Sequence, residues 1–139
     1  MHRRPLGRGR TLAAIGALIV LVGCVLPWWR VGGEAGLPAL AGNAFEASGI
    51  VVFLVAAATL ALLTLPYAAG DRPLEIRWLA YLLLVVAGWI GLAMRVLDFV
   101  IDEPQALFPD RAPGLWLAAV GLAVLSRSVY DMAHEPLRR

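Results

Sequence analysis

Four long apolar stretches divide the chain, and most polar and charged residues lie between them. They cover about residues 11–29, 44–66, 74–99 and 113–130. Each is close to the roughly 20 residues that a helix needs to cross the ~30 Å hydrocarbon core of a bilayer. Residues 49–66 offer only Thr59 and Thr64 as polar side chains, so the polar stripe of a soluble helix is missing. The pattern predicts an all-α fold, an integral membrane four-helix bundle forming one domain over residues 1–139. Three spans with one interfacial segment are the alternative, because the fourth stretch contains Arg127.

The ends of these stretches carry signals for helix boundaries. Asn43 and Glu46 have the spacing of a capping box, which predicts that Asn43 caps the second helix and Glu46 reaches back to it. Pro113 suits the first turn of the fourth helix, where a missing N–H costs nothing. The short loop over about residues 67–73 predicts that the second and third helices are antiparallel neighbours.

Composition narrows the class of protein. Hydrophobic residues make up 60% of the 139 residues and charged residues 16%, whereas a soluble domain contains about 45–50% apolar residues with glycine included. This surplus excludes a disordered chain, a basic nucleic-acid-binding module and an ordinary soluble enzyme. The single cysteine, Cys24, excludes an internal disulfide and a multi-cysteine metal site.

The arginines predict the orientation. All 12 basic residues are arginines. If both termini are cytoplasmic, nine arginines lie on the inner side, and only Arg30, Arg95 and Arg111 lie on the outer side. The positive-inside rule therefore predicts a multi-pass protein of the cell's inner (plasma) membrane with cytoplasmic N- and C-termini. Aromatic residues fall near both predicted interfaces: Trp28, Trp29, Phe45, Phe99, Phe108 and Trp116 near the outer one, and Tyr67, Trp78 and Tyr130 near the inner one.

This orientation leaves two outer loops, residues 30–43 and 100–112. The first contains Gly32, Gly33, Gly36 and Pro38, which predicts a small turn or hairpin lying on the membrane surface. The second contains Pro104 and Pro109.

Small residues recur at helical spacing in three stretches: Gly16 and Gly23; Ala80, Ala87 and Gly91; and Gly114, Ala118 and Gly121. In lipid, such faces let helix backbones approach closely, because packing replaces the hydrophobic drive. They predict either a compact bundle within one chain or a face that docks a partner helix.

The first candidate interaction cluster lies at the outer end of the third helix. Arg95, Asp98 and Asp102 are spaced i, i+3 and i+7 and so share a helix face; Glu103 follows them, and Arg111 lies in the next loop. Three interpretations are open. The cluster is a salt-bridged or solvated helix end, a docking site for an external partner, or a weak Ca²⁺ site formed by Asp98, Asp102 and Glu103.

A second candidate set lies in and beside the first outer loop: Trp28, Trp29, Arg30, Glu34 and Glu46. Its charged residues, Arg30, Glu34 and Glu46, either pair with the first cluster and close the outer face, or remain separate and solvated. In the third span, the indole N–H of Trp89 needs a partner at membrane depth. We expect its ring to pack inside the bundle, with a pigment, quinone or lipid contact as the alternative.

The residues Leu21-Val22-Gly23-Cys24 follow an arginine-rich start and an apolar run, and they resemble the bacterial lipobox. The resemblance implies that Cys24 is lipidated and that the segment before it is removed. After Cys24 the chain stays apolar, where an exported lipoprotein usually turns polar. The alternative is therefore a small cysteine near the end of a span.

The sequence shows no evident residues for catalysis or for binding a cofactor. The two histidines, His2 and His134, lie near the termini, the spans have no central carboxylate, and P-loop, HExxH and dinucleotide motifs are absent. We expect no enzyme activity, no cofactor and no nucleic-acid partner. The expected function is a non-catalytic accessory or scaffold subunit, partnered by the lipid bilayer and by another membrane protein or further copies of itself. The alternatives are a small transporter or channel acting as an oligomer, and a lipid-directed enzyme using Asp98, Asp102 and Glu103.

Two resemblances bear on these hypotheses. In size and number of spans the chain is similar to the small multidrug resistance family, but that family has a carboxylate deep in its first helix and residues 11–29 contain none. The arginine-rich start, the Leu26-Pro27-Trp28-Trp29 end of the first helix and the absence of lysine resemble the small four-helix membrane proteins of high-GC bacteria. This second resemblance implies a membrane fold and implies no activity.

Overall fold

The computed structural model describes residues 7–32, 35–68, 78–102 and 104–134, which form four helices, one β-hairpin and one 3₁₀ turn. The helices are α1 (Arg8–Val25), α2 (Gly49–Ala68), α3 (Trp78–Asp102) and α4 (Pro113–His134). The hairpin strands are β1 (Trp29–Val31) and β2 (Leu40–Gly42), and the 3₁₀ turn is Pro104–Leu107. The four predicted helices are confirmed. The all-α description needs one correction, because the first loop forms the hairpin that its glycines and proline indicated.

Each helix packs against two others. α1 lies beside α2 and α4, and α3 completes the bundle between α2 and α4. Gly91 faces Val51, and Gly88 faces Val55, so the order of residues on α2 runs opposite to that on α3. The two helices are therefore antiparallel neighbours, as expected. We call the end of the bundle that carries β1 and β2 the hairpin end, and the opposite end, where α1 begins and α4 ends, the terminal end.

Three of the described helices, α1, α3 and α4, are long and apolar enough to cross a membrane by length and composition. The apolar described part of α2, Gly49–Leu65, is shorter. Among these three, α4 has the lowest mean hydropathy, 1.3. Arg127 does not disqualify α4, because the charge lies in its last third and leaves a long apolar run before it.

Glycines bring α1 and α4 into close contact. Gly9, Gly16 and Gly23 recur every seven residues on α1, and Gly114 and Gly121 do so on α4; we call these five residues the glycine seam. A Cβ at Gly23 would lie 2.7 Å from the backbone N of Ala118, and one at Gly121 would lie 2.8 Å from the backbone N of Val20. At such distances a side chain would displace a backbone, so the small faces predicted on these two helices pack against each other within one chain.

The small face predicted on α3 is only partly used. Gly91 is buried against α2, whereas Ala80 and Ala87 are half-buried. Whether this face docks a partner helix stays a prediction.

The C-terminal end of α1 is tied to the rest of the bundle through its carbonyl groups. The last carbonyls of a helix lack partners within it. Here the Trp28 indole N–H donates to the Gly23 carbonyl at 2.9 Å, and the Ala44 N–H donates to the Cys24 carbonyl at 3.3 Å. Trp28 is fully buried as a result. Trp28 lies at the hairpin end, near the predicted outer interface, but its ring folds back over the end of α1 instead of facing outward.

The start of α2 also differs from the prediction. The Asn43 side-chain oxygen accepts the Phe45 N–H at 3.1 Å, which makes a local turn, and the helix begins only at Gly49. The Glu46 carboxylate bonds elsewhere. The predicted capping box is wrong because the Glu46 carboxylate contacts residues of other elements, Trp29 and Arg95.

Candidate functional site at the hairpin end

The hairpin end gathers loop segments that the sequence marked as candidate sites. In β1 and β2, Trp29 pairs with Gly42 and Arg30 pairs with Ala41. The Trp28 N–H donates to the Gly42 carbonyl at 2.7 Å, so the hairpin is joined directly to the buried Trp28. The 3₁₀ turn contacts both β1 and α3. The two predicted outer loops therefore form one continuous layer.

Glu46 is at the centre of this layer. One of its carboxylate oxygens, Oε2, accepts the Trp29 indole N–H at 2.9 Å and lies 3.9 Å from a guanidinium nitrogen of Arg95. The Arg95 guanidinium also lies over the Phe99 ring, 4.6 Å from its centroid. We call Trp29, Glu46, Arg95 and Phe99 the Glu46 network. It links the hairpin, the turns before α2 and the last part of α3.

The two ions of the Glu46 network differ in exposure. The Arg95 side chain is 13% exposed and the Glu46 side chain 49% exposed. The Arg95 Nε is buried without a hydrogen-bond partner among the described residues, and so is the Ser48 Oγ. Arg95 is thus a largely covered cation whose one described ion-pair partner is Glu46.

This arrangement changes the interpretation of both predicted sets. Arg95 pairs with Glu46 and not with Asp98 or Asp102, which are exposed. The helix spacing that favoured the Asp98 pairing is real, but the buried side of α3 faces Glu46. Among the described residues, the pair of Glu46 and Arg95 joins the two sets; that the sets close this face stays a prediction.

Some members of the sets lie apart or outside the described residues. Glu34 and Glu103 fall outside them. Asp102 and Arg111 line an open cavity of about 340 Å³ with Pro104 and Gln105, and Arg30 is exposed on the hairpin. Among the residues that are described, no group of three or more His, Cys, Asp or Glu side chains is placed to hold a metal ion. The Ca²⁺ hypothesis depends on Glu103 and stays a prediction.

Gly42 belongs to this site, although the sequence pattern did not mark it. A Cβ there would overlap the Trp29 indole and lie 2.6 Å from the Glu46 Oε1. The indole and the carboxylate can meet only because this position has no side chain. Gly42 also lines a second cavity of about 220 Å³, together with Val25, Pro27, Asn43 and Glu46 among others. Gly42 lies opposite Trp29 in the antiparallel register of β1 and β2, and the sequence alone does not give that register.

Two further predictions concern the helices. The Trp89 indole N–H finds its partner in the Ser126 Oγ at 2.9 Å, but the ring is 38% exposed and only partly enclosed by the bundle. Cys24 is fully buried. Lipidation of Cys24 would require loss of the residues before it, and with them the α1 half of the glycine seam. It stays a prediction that an intact mass would test.

The terminal end carries a smaller set of contacts that was not predicted. Arg127 pairs with Asp131 one turn later at 3.4 Å, and its guanidinium lies 5.2 Å from the Tyr130 ring centroid. The Tyr130 ring in turn packs against His134. The i,i+4 spacing of Arg127 and Asp131 is the signal that would have found this pair.

Comparison with known proteins assigns the chain to no family. No protein-family model and no curated protein matches it. The physical chemistry of the chain itself is therefore the basis for assigning it a function.

Proposed function

We propose that this chain is a polytopic membrane protein with four spanning helices, and that it serves as a non-catalytic accessory or scaffold subunit for other membrane proteins. The observation that carries the membrane assignment is the distribution of residue size on α1. Its buried residues are no larger than valine: Gly9, Ala13, Gly16, Ala17, Val20, Gly23 and Cys24. Its exposed residues include Ile15, Leu18, Val22 and Val25.

This distribution is the reverse of the one found on a helix of a water-soluble protein. A soluble helix buries its large apolar side chains and exposes polar ones. In lipid, large apolar side chains face the acyl chains at no cost, and small residues are needed where helices meet. The size pattern on α1 thus supports a lipid-facing surface.

A belt without charged side chains surrounds the bundle. No charged side chain occurs in residues 78–94 of α3 or in residues 112–126, which begin just before α4 and continue into it. At 1.5 Å per residue, these stretches are about 22–26 Å long. Arg95 and Arg127 lie at opposite edges of this belt, and long arginine side chains can reach the headgroup layer from such positions. The 20 residues of α2 extend about 30 Å, so α2 is also long enough to be the fourth span.

The proposed orientation places the terminal end in the cytoplasm and the hairpin end outside. The arginine distribution in the sequence supports it, since nine of the 12 arginines fall in the stretches of sequence that this topology assigns to the cytoplasmic side. In the cell, this corresponds to the plasma membrane of a bacterium.

The orientation can be tested with single cysteines in a Cys24→Ala background. Asp110 at the hairpin end and Ala133 at the terminal end are both exposed. We expect a membrane-impermeant maleimide to label Asp110→Cys in intact cells, and to label Ala133→Cys only after the membrane is opened. The opposite labelling pattern would reverse the proposed topology.

The accessory role is supported by how the hydroxyl groups within the helices are bonded. The Thr59 hydroxyl donates to the Val55 carbonyl at 2.8 Å, and the Ser128 hydroxyl donates to the Leu125 carbonyl at 2.6 Å. Both side chains are buried and their hydroxyl protons are used within their own helices, so neither is exposed to guide a polar substrate. A transporter or channel, the alternative function, would need a second copy to form its polar path.

Native mass spectrometry after mild extraction from the source membrane tests the proposal. We expect the full-length chain in a defined complex with another membrane protein. A homo-oligomer without partners, together with ion or drug flux across liposomes that contain the purified chain, would contradict the accessory role. It would favour the transport alternative.

A further inference from the structure

The hairpin end exposes apolar side chains that the bundle does not cover. Leu37 beyond the hairpin turn is 66% exposed, and Leu40 on β2 is 61% exposed. Phe108, which follows the 3₁₀ turn, is exposed to a similar degree. Leu37 and Leu40 belong to the hairpin and Phe108 to the second outer loop, so a surface that covers all three would have to be broad.

The exposed apolar surface continues from the helices into this layer. Val25 is exposed at the end of α1, Phe45 is exposed just before α2, and Trp116 is exposed in the first turns of α4. On the α1 side no charged residue lies between Thr11 and Trp29, so here the charge-free belt reaches the start of the hairpin. Because lipid covers the belt in the proposed function, this continuity indicates that lipid also contacts the hairpin.

The aromatic rings at this level suit a lipid–water interface. The Trp29 indole N–H donates to Glu46, and the Trp116 indole N–H donates to the Leu107 carbonyl at 2.7 Å. With their N–H groups bonded inside the protein, both rings can sit among headgroups and upper acyl carbons. Tryptophan is enriched at that depth in membrane proteins.

The hairpin is also held in place at its base. The Trp28 N–H bonds to Gly42, and the Gly114 N–H donates to the Pro27 carbonyl at 3.0 Å. The segment that carries Leu37 and Leu40 therefore projects from a fixed base. A fixed base lets these side chains enter the interface without the ordering that a loose loop would require.

We propose that the hairpin is an interfacial lipid-docking element, in which Leu37 and Leu40 insert between the headgroups of the leaflet at the hairpin end. This inference rests on the proposed membrane function. It assigns to the hairpin a lipid partner rather than a water-exposed position or a protein ligand.

The test uses an environment-sensitive thiol fluorophore at single cysteines in the Cys24→Ala background. The full chain is reconstituted into phosphatidylcholine vesicles that carry bromine on the upper acyl carbons. Leu37→Cys reports the hairpin, Val120→Cys on the exposed face of α4 reports the belt, and Asp110→Cys is the exposed polar control. We expect quenching at position 37 to be roughly half or more of that at 120, since interfacial elements bury about 5–10 Å into the headgroup and acyl boundary. Position 110 should show little quenching.

The outcomes separate the two proposals. If position 120 is quenched and position 37 behaves like 110, the hairpin does not dock on lipid and the membrane assignment stands. A fluorophore at 37 that is unquenched but shielded from aqueous iodide would indicate that a second copy of the chain covers the hairpin, and would overturn the inference as well. If none of the three is quenched, the membrane assignment itself is wrong.

Discussion

Gly121→Leu is expected to prevent α4 from packing on α1 and to destabilise the bundle by more than about 3 kcal/mol. Overpacking a core usually costs about 1–3 kcal/mol, because neighbouring side chains change rotamer. Here the nearest atoms to a Cβ include the backbone N of Val20, at 2.8 Å, and the carbonyl O of Gly16, at 3.0 Å. A backbone cannot change rotamer, so the two helices would have to separate.

The measurement is the unfolding of the purified chain in mild detergent, followed by circular dichroism as sodium dodecyl sulfate is added. Ala123→Leu is the matched control, since Ala123 is an exposed alanine two residues further along the same helix. We expect the control to change the free energy of unfolding by less than about 0.5 kcal/mol, as surface substitutions usually do. Equal effects of the two substitutions would show that α1 and α4 do not meet at the glycine seam.

The helices and the small faces of α1 and α4 could be predicted because their signals are local. An apolar run of about 20 residues favours a span wherever the partner helices lie, and glycines seven residues apart share a face on any helix. The sequence cannot show which small face meets which. Gly16 and Gly121 are therefore recognisable as packing residues, but their mutual contact is a property of the fold.

The candidate site was less predictable because its contacts join distant residues. Trp28 and Trp29 are neighbours of the same type in the chain, yet one is buried over α1 and the other reaches Glu46. The backbone that joins α1 to β1 separates them, and there the Pro27 carbonyl accepts the Gly114 N–H, a contact between residues far apart in the sequence. In the same way, the spacing of Asn43 and Glu46 suits a capping box, but in the fold the Glu46 carboxylate contacts Trp29 and Arg95 instead.

The second large loss of stability is expected on substitution of Glu46, whose carboxylate is shared by Trp29 and Arg95. Glu46→Ala would leave the Trp29 indole N–H and the largely covered Arg95 guanidinium without their shared acceptor. Hydrogen bonds to charged groups contribute about 1.5–3 kcal/mol, and the 49% exposure of the Glu46 side chain places the expected loss near the lower end, at about 1–2 kcal/mol. The same detergent unfolding experiment measures it.

Glu46→Gln and Asp98→Asn decide which partner holds Arg95. The side-chain amide introduced by Glu46→Gln keeps an oxygen for the Trp29 indole and loses only the charge, so we expect roughly half of the loss seen with Glu46→Ala. Asp98→Asn removes the carboxylate that the helix spacing assigned to Arg95, and we expect a change within about 0.5 kcal/mol, since Asp98 is exposed. If Asp98→Asn destabilised the chain more than Glu46→Gln, the cluster on α3 would be the true ion-pair site. The Glu46 network would then not be what closes the hairpin end.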